Sequence, residues 1–281
     1  MKKIIVYLSL IGSVLLFTGC GVLGGNGIMV QASGNVVMRE FEMEDFTAFN
    51  IGGSYNVTFR YGDEHLVIIE MSENLFEHIE VTVSRDTLTI ETTRGIGINF
   101  GNEQPHVTIY APFIDHARLS GSASAIEWDP IVAPSFTLET SGSSDVMMAI
   151  TTEELSVKAS GSANIELSGS ADVVDMNFSG STSVIADLVI GQLSLAASGS
   201  SVVDLVGVAT SADMNLSGSN NILAFEMQME EVSIQASGSA TVEIAVSQTL
   251  DVTARESSRI RYIGNPVITQ ETSGSATITP N

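Results

Sequence analysis

Serine hydroxyls recur along the sequence at a spacing that could present a regular binding surface. They belong to Ser-Gly-Ser tripeptides, which follow one another at intervals close to 19 residues. Each hydroxyl both donates and accepts hydrogen bonds, so a regular array could bind a polymer, a glycan or a crystalline surface. The serines before the glycine make up the candidate binding ladder: Ser160, Ser179, Ser198, Ser217 and Ser237. The alternative is that these hydroxyls only bond from one repeat to the next.

Carboxylates are the second group of residues that could do chemistry. Hydrolysis of a polysaccharide needs paired carboxylates in one cleft, and lyase chemistry usually needs a calcium-binding acidic cluster with a base. Between Leu119 and Val252 the chain has 17 acidic residues, one basic residue, Lys158, and no histidine. A base is therefore missing along most of this region, and we predict no catalytic residue.

Metal ligation finds little support in the spacing of the candidate ligands. Asp175 and Asp213 stand in matched repeats, each two positions before an asparagine, which leaves a calcium-binding face open as an alternative. The four histidines show neither the spacing of a zinc helix motif nor that of a catalytic triad, and we interpret them as surface or turn residues: His65, His78, His106 and His116. We therefore predict no metal site and no cofactor.

The net charge limits the partners of the protein. The chain has 33 Asp and Glu against 11 Lys and Arg, for a formal net charge of −22. Such a surface repels nucleic acid and anionic lipid head groups, so neither is expected as a partner. Because 44% of the residues are hydrophobic, the chain can bury a sizeable core and is not expected to be disordered.

The repeat defines the elements that must position these residues. The glycines of the series lie 19 to 21 residues apart as far as Gly238: Gly121, Gly142, Gly161, Gly180, Gly199, Gly218 and Gly238. Gly274 follows after two shorter periods, and Glu256 occupies the place of a glycine between them. A flexible linker has no reason to keep such a register, whereas a solenoid does. The additional Ser-Gly-Ser at 168–170 lies outside the series.

Apolar residues alternate with polar ones within each repeat, as in "LSVKASGSANIEL" at 155–167. A period of two indicates strands, and about 19 residues are too few for a strand, a crossover helix and a returning strand. We therefore predict an all-β fold, a parallel β-helix with coils of about 19 residues. The glycines would then stand at corners, where the chain turns at positive φ and successive coils approach closely. If the alternation continues through the corner, both serines of each tripeptide face solvent; otherwise some turn inward.

The chain divides into four segments on this interpretation. Lys2 and Lys3, followed by an apolar run that ends before Cys20, are typical of a signal peptide covering residues 1–19. "TGC" at 18–20 resembles a lipoprotein signal, which implies acylation of Cys20, the only cysteine. Residues 20–40 would be the lipidated cysteine and a flexible tether. Residues 41–113 read as less regular β coils or a cap, and residues 114–281 as the repetitive β-helix.

The N-terminal β segment carries a family resemblance. "FTAFNIGGSYNVTFRYGDEHLVIIEM" at 46–71, "VTIYAPFIDHARLSGSASA" at 107–125 and the Ser-Gly-Ser coils that follow resemble the bacterial GIN-domain family of auto-transporter adhesin head domains. The resemblance covers roughly residues 41–279. It implies a β-helical exported protein that is often a lipoprotein, and it brings no catalytic motif.

Together these features predict an exported, non-enzymatic protein of the bacterial cell surface or envelope. It would be held to the membrane by lipid on Cys20 and would act in adhesion or in binding a glycan, an envelope polymer or a surface protein. The alternative is a β-helical polysaccharide lyase or glycoside hydrolase. The ligand, the oligomeric state and the membrane that holds the lipid stay open.

Overall fold

A computed structural model describes residues 28–281 as an almost entirely β structure. It is a β-solenoid of about 9 turns, with coils about 19 residues apart. The predicted fold class and coil length are therefore confirmed. The first 27 residues, which include Cys20 and the predicted signal peptide, lie outside the described part of the chain.

The N-terminal part contains nine short strands and one short helix. The strands are β1 (Ile28–Gln31), β2 (Val36–Glu42), β3 (Ala48–Gly53), β4 (Asn56–Tyr61), β5 (Leu66–Ser72), β6 (Ile79–Ser84), β7 (Thr87–Thr92), β8 (Ile96–Asn99) and β9 (His106–Ala111). A 3-10 helix (Glu73–His78) joins β5 to β6. Strands thus form before Phe41, where the folded part was expected to begin. β2 is mostly exposed and only augments the edge of β5, so it lacks a buried alternation that the sequence could reveal.

The solenoid itself is made of longer strands that stack in parallel. They are β10 (His116–Gly121), β11 (Ser124–Ala125), β12 (Ile131–Gly142), β13 (Asp145–Gly161), β14 (Asn164–Gly180), β15 (Ser183–Gly199), β16 (Val202–Gly218), β17 (Asn221–Ala236), β18 (Thr241–Ala254), β19 (Arg259–Ile263), β20 (Val267–Thr272) and β21 (Thr277–Pro280). From β13 to β16 each coil pairs with the next at an offset of 19 residues. Every second side chain points inward, and the inward positions of successive coils stack into columns. One such column contains Leu138, Val157, Met176, Leu195, Met214, Ile234 and Val252, all buried.

The glycine corner is a close contact between backbones. The Ser162 N–H donates to the Gly142 carbonyl at 2.7 Å, and the same bond recurs from coil to coil. Gly161 has φ +110°, and a Cβ at this position would lie 2.5 Å from the Gly142 oxygen. The corner therefore excludes a side chain on both conformational and steric grounds.

Two further glycine findings refine the interpretation of the repeat. Glu256 occupies the corner position of its coil at φ +61°, as its place in the series predicts. Gly169, in the additional Ser-Gly-Ser, pairs with Ile150 and Leu188 rather than with corner residues. It marks a second tight bend in the same coil, and Gly207 has the corresponding position two coils on.

The N-terminal end continues two of the stacked sheets and then closes them. β3 lies between β10 and β7, and β4 lies between β11 and β9. Beyond them β6, β5 and β2 add antiparallel strands. The 3-10 helix places Leu75 and Phe76 into the core at this end. β1 and β8 form a separate two-stranded sheet.

Candidate binding face

The predicted serine ladder forms one continuous column on the outside of the solenoid. Strand register places Ser160, Ser179, Ser198 and Ser217 side by side. Ser237 follows Ala236, the partner of Leu216, and so continues the column. Register also adds Ser120 and Ser141 at the N-terminal end. These two lie in the same tripeptide, so the glycine series itself could have identified them. We call the outward surface that carries this column the serine face.

The ladder points to solvent, so the alternation does continue through the corner. Ser160, Ser179, Ser198 and Ser217 are exposed, and Ser237 is partly exposed. The second ladder is exposed as well: Ser162, Ser181, Ser200, Ser219 and Ser239. The next residue of each coil turns inward, and these buried corner residues form a column of their own: Ala123, Ser144, Ala163, Thr182, Ser201, Asn220, Ala240 and Ser258.

The ladder hydroxyls do not hold the coils together. Within residues 28–281 the hydroxyls of Ser160, Ser179 and Ser198 donate no hydrogen bond to a protein atom, since the backbone makes the contacts between coils. Ser237 differs, because its hydroxyl donates to the Leu216 carbonyl at 3.4 Å. Most of the column therefore presents hydroxyls that are available to a ligand at strand spacing, about 4.8 Å.

A second outward column of the serine face alternates serine with aspartate. It contains Ser156, Asp175, Ser194, Asp213, Ser233 and Asp251. Asp175 and Asp213, the candidate calcium ligands, are two strands apart, which is about 10 Å and too far to share one ion. No group of three or more His, Cys, Asp or Glu that could hold a metal occurs in the described chain. Beside this column lies a depression of about 390 Å³, lined by Gln192, Ser194 and Asp213 among others.

The four histidines contact different partners in the N-terminal part and the first coil. His65 lies 3.1 Å from Asp45, and His106 lies 2.9 Å from the Thr58 hydroxyl. His78 lies 3.5 Å from Glu77, and His116 lies 3.9 Å from Glu139. They therefore do not converge on a common centre.

A cavity of about 540 Å³ beside the first coil was not indicated by the sequence. Met29, Ile98 and Phe100 line it together with Tyr55. Tyr55 is only 1% exposed, and its hydroxyl has no hydrogen-bond partner. Burial raises the pKa of Tyr55 to about 12. The cavity forms only when β8 and the following loop, distant in sequence, return to the first coil, so no local pattern could reveal it.

Among residues 28–281, no helix has the length and apolar character that a membrane crossing requires.

Comparison with known proteins supports the fold. The chain is similar to a "putative adhesin" from Parabacteroides merdae, with 18% identity and a TM-score of 0.69 over 90% of this chain and 99% of the other. A "putative adhesin" from Parabacteroides distasonis matches with 20% identity and a TM-score of 0.70 over 90% and 100% of the two chains. A "putative lipid binding protein" from the same species matches with 21% identity and a TM-score of 0.61 over 90% and 99%. At these identities the likeness concerns the fold alone.

No protein of curated function matches this sequence. A family model described as "Putative auto-transporter adhesin, head GIN domain" matches residues 45–189 and 181–266. These two stretches include the first coil, the cap strands and most of the solenoid, well over half of the chain. The protein therefore belongs to this GIN-domain family of adhesin head domains, as the resemblance in its N-terminal β segment predicts.

Proposed function

We propose that this protein is an exported, lipid-anchored component of the bacterial cell envelope that binds a glycan or another envelope polymer through its serine face. The observation that carries the proposal is the column of exposed serines on successive coils, whose hydroxyls take little part in holding the solenoid together. Membership of an adhesin family supports a binding role at the surface.

Binding without catalysis is the simpler use of this surface. The face offers hydroxyls, amides and separated carboxylates, and Lys158 is the one basic residue between Leu119 and Val252. Hydrolysis or elimination would need a converged acid and base, whereas adhesion needs only many weak contacts at regular spacing. A rod with parallel, evenly spaced strands can supply such contacts to a polymer with a regular repeat.

The lipid anchor is tested at Cys20. In the native host or another bacterium that acylates lipoproteins, we expect the chain to take up a labelled fatty acid and to partition into detergent. Cys20→Ala should remove both properties, because no other cysteine can be acylated. Equal labelling of the variant would contradict the anchor.

The binding role is tested on a panel of bacterial and host glycans and matrix proteins, with and without calcium, while the supernatant is analysed for cleaved polymer. Saturable binding without product is expected. The triple variant Ser179→Tyr, Ser198→Tyr, Ser217→Tyr should lose it, because three bulky rings would cover the ladder.

The matched control places the same rings two residues further along each coil, on the second ladder, as Ser181→Tyr, Ser200→Tyr, Ser219→Tyr. This variant should keep its affinity. Equal loss in both variants would contradict a site on the serine face, and released oligosaccharide would instead support the polysaccharide-active enzyme.

A further inference from the structure

Three basic side chains surround one carboxylate at the N-terminal end of the serine face. The Glu139 Oε2 lies 3.8 Å from Arg118 Nη1 and 3.9 Å from His116 Nε2. The Glu139 Oε1 lies 3.6 Å from Lys158 Nζ. Arg118, Glu139 and Lys158 are direct neighbours in the strand register of β10, β12 and β13. Two permanent cations thus converge on a single anion.

The two cations keep free hydrogen-bond donors. All three distances to Glu139 are longer than a hydrogen bond. Within residues 28–281, neither the Arg118 guanidinium nor the Lys158 ammonium donates to a protein atom by the geometry of a hydrogen bond. Their side chains are about half exposed, at 54% and 53%, whereas that of Glu139 is 28% exposed. A ligand can therefore approach both cations without first breaking a bond within the protein.

The cations and the serine column meet in one depression. It has a volume of about 300 Å³ and is lined by Arg118, Lys158, Ser141, Ser160, Asn177 and Ser179. Planar guanidinium groups bind carboxylates with two parallel hydrogen bonds, and hydroxyl and amide groups suit the hydroxyls of a sugar. The lining thus combines donors for an acid group with partners for a sugar ring.

The strongly acidic solenoid does not prevent an anion from binding here. Interactions between exposed charges are largely screened beyond about 8 Å at physiological ionic strength. The next outward carboxylates of the face, Asp175 and Asp213, belong to later coils. The local field in the depression is therefore set mainly by Arg118, Lys158 and Glu139.

We propose that this depression binds the carboxylate of an acidic sugar between Arg118 and Lys158, while Ser141, Ser160 and Ser179 bind the hydroxyls of the same glycan. The inference rests on the proposed function and names the class of glycan that the serine face prefers. Glu139 weakens the site by partly neutralising both cations.

The test uses the full chain, purified in detergent, and two probes that differ only in the acid group: an oligogalacturonate and its carboxyl-reduced product. We expect the acidic oligosaccharide to bind at least about tenfold more tightly, and added salt to reduce this preference. Arg118→Ala and Lys158→Ala should each weaken its binding about threefold to fivefold.

Glu139→Gln provides a test that a merely structural role would not pass. Removing the competing carboxylate should strengthen binding of the acidic probe about threefold, although it also removes an ion-pair partner. Arg259→Ala is the matched control, because this exposed arginine lies on β19, outside the serine face. It makes the same change in net charge and should leave the affinity unchanged.

The outcomes separate the inference from the proposed function. Equal binding of the two probes, with no effect of Arg118→Ala and Lys158→Ala, would overturn the acidic-sugar site and leave glycan binding by the serine face intact. Absence of binding to either probe by wild type would overturn this inference. Failure across the whole glycan panel would overturn the proposed function as well.

Discussion

The N-terminal part and the repetitive solenoid build one core by different means. From β12 to β18 the strands are all parallel and in nearly constant register, and aliphatic side chains stack above one another in columns. The N-terminal part instead mixes parallel and antiparallel pairs around aromatic residues, with Trp128 edge-on to Phe49 and Phe59. The solenoid gains its core from repetition, whereas the cap gains it from large side chains that fit one place only.

This difference has a functional counterpart. Repetition places identical groups on the outside at strand spacing, and the serine face is the result. The cap has no such columns, but it closes the end of the stack and shields its strand edges. We therefore assign polymer binding to the solenoid and structural closure to the cap.

The largest effect is expected from a side chain added where two coils touch. Gly169 has φ +129°, and its Cβ would lie 1.9 Å from the Ile150 oxygen, so Gly169→Ala should lower the free energy of unfolding by about 3 to 5 kcal/mol. Gly95 in the cap also has a positive φ, +86°, but has nothing within 4 Å of the added carbon. Gly95→Ala should therefore cost only about 1 kcal/mol. Urea denaturation measures both, and equal losses would contradict the steric explanation.

The next effect concerns a buried phenol in the cap. The pKa of Tyr55 is raised to about 12 from 10.0, so above pH 10 the unfolded chain releases this proton while the folded chain retains it. Stability contributed by the neutral phenol is complete below pH 10 and falls by about 2 to 3 kcal/mol between pH 10 and 12. Tyr55→Phe should abolish this part of the alkaline loss, and Tyr110→Phe, on a partly buried tyrosine, should not. An unchanged alkaline profile in Tyr55→Phe would refute the assignment.

Polar residues inside the corner column sharpen the comparison within the solenoid. The Asn220 side chain donates to the carbonyls of Ala197 and Ser217 and accepts from the Ser201 N–H. Asn220→Ala should therefore cost about 2 kcal/mol, because buried backbone groups lose their partners. The hydroxyl of Ser201 is buried without a partner, so Ser201→Ala should be neutral or stabilise by up to about 1 kcal/mol. Thermal unfolding measures both, and the reverse order would contradict the hydrogen-bond assignment.

The smallest effect is a gain. Glu256 holds the positive φ of the corner, which other coils give to glycine, and this conformation costs a residue with a Cβ about 1 to 2 kcal/mol. Glu256→Gly should stabilise the protein by about 0.5 to 1 kcal/mol after the greater flexibility of the unfolded chain is included. Glu271→Gly, on an exposed strand of the same end, should not stabilise. A loss of stability in Glu256→Gly would show that its carboxylate has a role of its own.

The sequence predicted the solenoid because glycine, serine and alternation repeat together. The corner at Glu256 followed from its place in the series even without a glycine. Gly53, whose carbonyl begins the same backbone ladder by accepting from Ser122, was not recognised, since the cap strands inserted after it break the period. Antiparallel pairs such as β2 with β5 depend on contacts distant in sequence, so no periodic pattern reveals them.

The candidate site was predictable in part for the same reason. The ladder from Ser160 to Ser237 follows from spacing alone. Its outward direction depends on whether the alternation survives the turn at each glycine, which needed the structure. The convergence of Arg118 and Lys158 on Glu139 also needed the strand register, because these residues are separated by whole coils in the sequence.

The most direct test of the central claim compares the affinity of one bound glycan for wild type, a face variant and a cap variant. The face variant carries tyrosines at Ser179, Ser198 and Ser217, and the cap variant is Gln104→Trp, which places a large ring at the N-terminal cavity. If the solenoid carries the binding site, the face variant loses the glycan and the cap variant keeps wild-type affinity. Loss in the cap variant, with the face variant unaffected, would contradict the account and move the site to the cap.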